Sequence, residues 1–416
     1  MHCGLDFGTS NSTLGTTDAA GTPRLLPLEG DRLTLPSAVF FDFDKDEVLF
    51  GRRALAEYIA GGDGRLLRAL KTILGSDLAA ESIRIKRDIV PFANILGLFV
   101  AELKHRGEAD LETGLDRAVV GRPVHFVDDD AAADARAQQQ LESTVRAQGF
   151  RHVEFQFEPI AAALDYERQV TREELGLVID LGGGTSDFSI VRVSPERARV
   201  ADRQGDILAT TGVHIGGTDF DRMLSMARVM PELGFQTPTL DGKRPLPSGP
   251  YYDLATWHRI NRLYTPHMLT ELRHTRREAR DPERVERMIS IVAHREGHAL
   301  AAAVETAKIA LTDAEAAVIA FAGEETKLAV PVTRTELARA LQHAIDRIAA
   351  TIAMALKAAG LGPNGIDTLI LTGGSTQIPA IMARLRALFP DARFVATDAF
   401  GSVGLGLALD AARKFR

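Results

Sequence analysis

The feature that most constrains this chain occurs twice. Near the start, Cys3-Gly4-Leu5-Asp6-Phe7-Gly8-Thr9-Ser10-Asn11 runs into the apolar Leu14. Far downstream, Leu177-Val178-Ile179-Asp180-Leu181-Gly182-Gly183-Gly184-Thr185 runs into Phe188, Ile190 and Val191. Each reads as strand, Asp-x-Gly turn, strand, a β-hairpin whose tip is glycine and hydroxyl. One such turn is ordinary. Two of them, each opening one half of the chain, predict a duplicated α/β domain with a cleft between the copies.

The rest of the sequence alternates strands and helices, the pattern of sheets covered by helices. Ala118-Val119-Val120 reads as a buried strand, followed by a helix over Ala131 to Gln148 that Gly149 closes. Val153 to Phe157 is a strand, and Pro159 opens the next helix at a favourable first-turn position. Thr333-x-x-Glu336 is a capping box, followed by Leu337, Leu341, Ile345, Ile348 and Ile352 at helical spacing. Leu369-Ile370-Leu371 is a strand that breaks into Gly373-Gly374-Ser375-Thr376, where another helix is expected to begin. At 416 residues the chain is long enough for two or more domains. We expect a first lobe over 1–172, interrupted by an inserted subdomain at about 37–112. A second lobe over 173–416 carries an insertion at about 221–300 and a last helix returning toward the first lobe.

Glycine-rich tips hold phosphates because backbone N–H groups converge with no side chain in the way. Thr9, Ser10, Asn11 and Thr185 add side-chain donors around Gly8, Gly182, Gly183 and Gly184. Asp6 and Asp180 each end a strand just before a tip, and two carboxylates facing a phosphate chain call for a cation, which Mg²⁺ bound through its own waters satisfies. Gly216-Gly217-Thr218-Asp219 precedes an apolar helix expected to start near Phe220, a third backbone anion site. Gly373-Gly374-Ser375 offers a close approach for a flat base or ribose. Neither a Gly-x-x-x-x-Gly-Lys loop nor a Gly-x-Gly-x-x-Gly helix opening is present, so phosphate binding must use the hairpin mode.

These motifs resemble the DnaK-type 70-kDa heat-shock chaperones. LVIDLGGGTSDFSI from Leu177 is similar to that family's second phosphate motif, and EPIAAALDY from Glu158 to its connecting helix. GLDFGTSNS from Gly4, HIGGTDFD from His214 and LTGGSTQIP from Leu371 match three further motifs in the family's order. VGRP at Val120, GFRHVEFQFEP and DAFGSVGLGLA resemble a shorter bacterial branch, the YegD-like proteins. The resemblance implies an actin-like ATPase fold with two lobes, each built on a ribonuclease-H-like core, around a cleft for ATP or ADP with Mg²⁺. It also implies slow ATP hydrolysis and a conformational switch driven by nucleotide, acting with a protein partner or client.

By that resemblance Asp6 and Asp180 hold the hydrated Mg²⁺ and Glu158 orients its water shell. Lys71, in LKTILG, positions the attacking water, and Thr185 and Asp187 flank the γ-phosphate. Glu305, Lys308 and Thr312, in VETAKIALT, face the adenosine, with Gly373, Gly374 and Ser375 under the base and sugar. The sequence also departs from the family. Ile309 and Gln377 stand where the family stacks arginines on adenine, Thr218 replaces a glutamate, and the acid of the last connecting segment falls out of register at Asp398. The resemblance ends with the nucleotide-binding unit, and no peptide clamp is expected after it.

Other signals are set aside. His294 and His298 have helical i, i+4 spacing, but the glutamate stands in neither position that a zinc protease needs. The run Arg273-His274-Thr275-Arg276-Arg277 lies among Glu271, Glu278, Asp281 and Glu283, which reads as a solvated helix face. Trp257, Tyr251, Tyr252 and Tyr264 either pack the second insertion or form a partner surface. A formal charge of -7 gives no general attraction to nucleic acid or anionic membrane, and one cysteine allows no internal disulfide. A cytoplasmic monomer is expected. The alternatives are a sugar-type small-molecule kinase or a filament-forming protein of the same actin-like superfamily.

Overall fold

The two Asp-x-Gly segments form hairpins because apolar residues meet across them. Leu5 pairs with Leu14, and Ile179 pairs with Phe188, in antiparallel register. A computed structural model describes residues 1–75, 81–127, 130–200, 202–396 and 401–415. Asp398 therefore lies outside the described residues. The first half contains β1 (His2–Asp6), β2 (Asn11–Thr17), β3 (Pro23–Leu25), β4 (Leu35–Pro36), β5 (Ala38–Asp42), β6 (Glu47–Phe50), α1 (Gly51–Ile59), β7 (Gly64–Arg68), β8 (Ser82–Ile85) and β9 (Asp88–Pro91). It continues through α2 (Phe92–Leu111), β10 (Arg117–Arg122), α3 (Ala131–Ala147), β11 (His152–Phe157) and α4 (Glu158–Glu167). The second half contains β12 (Glu174–Leu181), β13 (Ser186–Val193), β14 (Ile207–Val213), α5 (Gly217–Leu224), α6 (Gly249–Ala255), α7 (Pro266–Glu278), α8 (Pro282–Ala293) and α9 (Gly297–Asp313). Then come β15 (Ala316–Ala322), β16 (Lys327–Thr333), α10 (Arg334–Ala358), β17 (Thr368–Thr372), α11 (Pro379–Leu388), β18 (Arg393–Ala396) and α12 (Ser402–Lys414).

The duplication is visible strand for strand. One sheet has the order β11-β10-β1-β2-β3, with β4 also on β2, and the other has β18-β17-β12-β13-β14. In each, the aspartate-bearing strand is parallel to one neighbour and antiparallel to its hairpin partner. The central strands are apolar runs buried on both faces, as sheets sandwiched by helices require. Between the sheets lies a shared core in which α4 (Ile160 to Leu164) and α12 (Val403, Leu407) meet Val119 of the first sheet and Val178, Val191 and Ile370 of the second. A Cβ on Gly406 would overlap the Ala161 carbonyl, so glycine lets α12 and α4 cross in backbone contact.

Some expected boundaries move. The Gly374–Gln377 segment is a single 3₁₀ turn, and the helix proper starts at Pro379. The reason is Ile378, held extended at φ -67, ψ 119, because a residue before proline avoids the helical region. The α5 helix starts at Gly217 rather than near Phe220, since the Asp219 carboxylate accepts from the Gly216 N–H at 3.1 Å and closes the first turn early. Within 37–112, α2 buries Ile95, Phe99 and Leu103 in the core that also holds Leu5 and Leu14, and Val39, Leu70 and Ile83 of the same segment join that core. The 221–300 segment is likewise continuous with the second core through Leu233, Tyr251, Leu272 and Met288. Among the described residues no helix is long and apolar enough to cross a membrane.

Candidate functional site

The floor of the cleft is built from charge. β1 and β12 end in Asp6 and Asp180. α4 begins with Glu158, set by the extended Phe157 before it and Pro159 after it. Lys71 sits in a 3₁₀ turn entered through Ala69, whose left-handed φ of 54° swings the chain out of β7. Its ammonium donates to Glu158 Oε1, and the side chain is only 10% exposed, so it is not a solvated surface lysine. Burial alone would lower the Lys71 pKa, but Glu158, Asp6 and Asp180 together hold it above its ordinary value.

Three carboxylates thus surround one ammonium. Burial, then the nearby Glu158, push the Asp6 carboxyl up to about 7 against the pull of Lys71. Burial, then Asp187, Glu158 and Asp6, push Asp180 up to about 8. Asp187 acts from directly across the hairpin, as the register partner of Asp180. A site this rich in carboxylate oxygen suits a further cation. Among the described residues, no group of three or more histidine, cysteine or carboxylate side chains is placed to grip a metal directly. Asp6 and Asp180 fit an ion that keeps its own water shell.

Above the floor the two hairpin tips touch, since a Cβ on Gly183 would overlap the Ser10 hydroxyl. Thr185 donates to Asp187 at 3.2 Å and returns its carbonyl to the Gly182 N–H at 2.9 Å, closing the second tip. Gly8, Thr9, Ser10 and Asn11 turn the first tip, with Ser37 donating to the Gly8 carbonyl at 2.6 Å. The Gly216-Gly217 corner differs from its expected role. The N–H groups of Gly217 and Thr218 donate to the Gly182 and Gly183 carbonyls at 3.0 and 2.8 Å, and that of Gly216 is held by Asp219. The start of α5 is filled by the second tip instead of standing open to an anion.

On the cleft wall, Lys308 of α9 is buried. It forms an ion pair with Asp221 at 2.7 Å and donates to the Gly217 carbonyl at 3.2 Å. A Cβ on Gly217 would lie 3.2 Å from the Ser375 hydroxyl, so Gly217, Lys308 and Ser375 converge. Gly373 takes a left-handed φ of 82°, and a Cβ there would overlap the Leu181 carbonyl and lie 2.9 Å from Asp180 Oδ1. Only glycine can press the Gly373-Gly374-Ser375 turn onto the end of β12. Glu305 is exposed, and its charge reaches the Lys308 partner Asp221, whose carboxyl burial pushes up to about 6. The Thr312 hydroxyl donates to Ile309 within its own helix at 2.7 Å, and Ile309 and Gln377 are exposed.

The rim was not anticipated. Tyr58 of α1 donates to Asn261 Oδ1 at 3.1 Å and lies 3.4 Å from His298 Nε2. Its ring meets that of His298 edge-on at 4.7 Å, and Trp257 meets the same imidazole at 4.8 Å. Arg68 caps the stack 4.7 Å over Trp257. His298 is thereby buried, and burial pulls its pKa down to about 4. The two histidines of the i, i+4 pair part company, since His294 turns its Nδ1 to the Ser290 carbonyl at 2.9 Å. Tyr251 and Tyr264 pack the second insertion, while Tyr252 is exposed. Asp221 was within reach of sequence reasoning as the last residue of HIGGTDFD, whereas nothing local marks Tyr58, Arg68 or Asn261.

The comparisons with known proteins agree with this geometry. A family model described as "Hsp70 protein" matches residues 91–230 and 272–412. The chaperone proteins DnaK of Thermotoga petrophila and Thermotoga maritima are each 28% identical to this chain over 421 residues, covering 98% of it. The chain spans 59% of the length of these relatives. The family model covers more than half of the chain, including the second sheet and its hairpin tip, so the chain belongs to the Hsp70 protein family and carries its actin-like ATPase fold.

Proposed function

We propose that the cleft binds Mg·ATP, hydrolyses it slowly and converts the nucleotide state into a change in the separation of the two halves. The observation that carries this reading is the Lys71–Glu158 pair set between Asp6 and Asp180, which gathers charge from both sheets at one point. The half-buried, mutually repelling Asp6 and Asp180 would hold the hydrated Mg²⁺, which when bound supplies charge neutralisation to the phosphates. Lys71 would orient a water, and Glu158, accepting from Lys71, would keep that ammonium fixed and charged. Thr185 and Asp187 flank the second tip, where a terminal phosphate would meet backbone donors. Gly217, Lys308 and Ser375 would form the wall for the nucleoside, and the resemblance to the family adds Glu305, Thr312, Gly374 and Gln377 to it. Ile309 and Gln377 offer no planar cation to adenine, so the base is held less firmly than two stacked arginines would hold it.

The chaperone relatives support a switch that acts on or through another protein, a client or partner, rather than a small-molecule kinase. The test is Asp180→Asn. ATP turnover should fall about 100-fold or more, several kcal/mol of charge stabilisation, while circular dichroism stays unchanged. Calorimetry that detects no heat with Mg·ATP at about millimolar concentration, a Kd range that weak family binding would still reach, would sink the proposal.

A further inference from the structure

Two signals left over from the sequence, the arginine run and His294, meet at one place. Arg273, Arg276 and Arg277 have i, i+3, i+4 spacing on α7 and line one wall of a cavity of about 390 Å³. α8 supplies the facing wall with Glu286, Ile289, Ser290 and Ala293, and His294 closes one end. Two of the acids expected to neutralise the run do not pair with its arginines. Glu278 pairs with Arg244 at 3.0 Å and with His274 at 3.4 Å, and Glu271 faces His267. Only Arg276 has an acidic partner, Glu286 across the groove. Among the described residues Arg273 and Arg277 have no ion pair. Ser290, on the wall between the helices, is 7% exposed, and its hydroxyl has no hydrogen-bond partner among the described residues.

We propose that this groove is a binding site for a single phosphoryl group, separate from the nucleotide cleft. Two unpaired guanidinium forks one helical turn apart, with a buried hydroxyl between the helices, exceed what one planar carboxylate can accept. A tetrahedral dianion has three terminal oxygens and can take both forks and the hydroxyl. The cavity is larger than phosphate itself and has room for the group to which it is esterified. Glu286 and Glu325 on the same lining would repel an extended polyanion, which selects one phosphoryl group over a nucleic-acid backbone. The source is either a free phosphate monoester or a phosphorylated side chain of another protein.

The experiment titrates the full chain with inorganic phosphate, O-phosphoserine, a peptide carrying one phosphoserine, and the same peptide with glutamate in its place. Saturable binding of the phosphoryl probes is expected, with the glutamate peptide about 10-fold weaker. Tightest binding by the phosphopeptide identifies a protein source, and equal binding of O-phosphoserine identifies a small ester. Arg273→Gln with Arg277→Gln, both on an exposed face, should weaken binding about 10-fold or more, whereas Glu286→Gln should tighten it by releasing Arg276. Asp180→Asn in the nucleotide cleft should leave it unchanged. No saturation by about 10 mM, or binding that survives the arginine pair and is lost with Asp180→Asn, would overturn the proposal.

Discussion

Two of the contacts that the halves of the molecule make across the cleft are chemical opposites. At the floor, Asp6 and Lys71 from the first half face Asp180 from the second, with Glu158 at the start of the connecting helix. At the rim, Tyr58 of the first half meets Asn261, Trp257 and His298 of the second through rings and neutral hydrogen bonds. Burial at the floor, and after it the neighbouring carboxylates, raises the pKa of both aspartates and leaves a demand for positive charge. The rim has no such demand, because burial holds the His298 imidazole neutral. A ligand or cation can therefore change the energy of the floor by several kcal/mol while leaving the rim nearly untouched. Under the proposed function, closure that depends on nucleotide would belong to the floor, and closure that does not would belong to the rim.

The strongest way to break that contrast is Lys71→Met. Removing the only ammonium from among three carboxylates should lower stability by about 3–5 kcal/mol, read from urea midpoints. Adding Glu158→Gln should recover much of the loss, because the charge left without a partner is removed as well. A single variant as stable as the parent would mean that the pair does not hold the floor together.

The rim should answer to pH in a way that the floor variant does not share. The His298 pKa is depressed from 6.5 to about 4, so the unfolded imidazole takes its proton first as pH falls. Its contribution is complete above about pH 6.5 and is lost progressively toward pH 4, by about 2–3 kcal/mol. His298→Gln should flatten the stability profile between pH 7.5 and 4.5 by about that amount relative to the parent. Parallel profiles would show that the ring titrates as though exposed.

The smallest effect sharpens the comparison most. Tyr58→Phe keeps the ring contact at 4.7 Å and removes the hydroxyl that joins Asn261 and His298. A loss of about 0.5–1.5 kcal/mol is expected, confined to faster hydrogen exchange in α1 and the 257–263 segment. Exchange that also quickens at β1 and β12 would show that rim and floor open as one unit.

What could be read in the sequence was local. The Asp-x-Gly tips, the capping box from Thr333 to Glu336, Pro159 at the start of α4 and the buried faces of α3 and α10 each depend on residues a few positions apart. Their repetition was enough to predict a duplicated α/β core, and the resemblance placed Lys71, Glu158 and Asp180 on one floor. Even the misplaced start of α11 had a local cause, since Pro379 forbids a helical Ile378. Other features were decided only by the tertiary structure. The N–H groups at the start of α5 were free donors on sequence grounds until the Gly182 and Gly183 carbonyls took them. The arginines of α7 were a solvated face until α8 supplied a second wall. Tyr58, Asn261 and His298 lie far apart in the chain, and no periodicity links them. Hairpins, caps and turns are set by interactions between neighbours, whose geometry the backbone itself restricts. A contact between distant segments exists only after two separately folded pieces have been docked, and its chemistry follows from that docking.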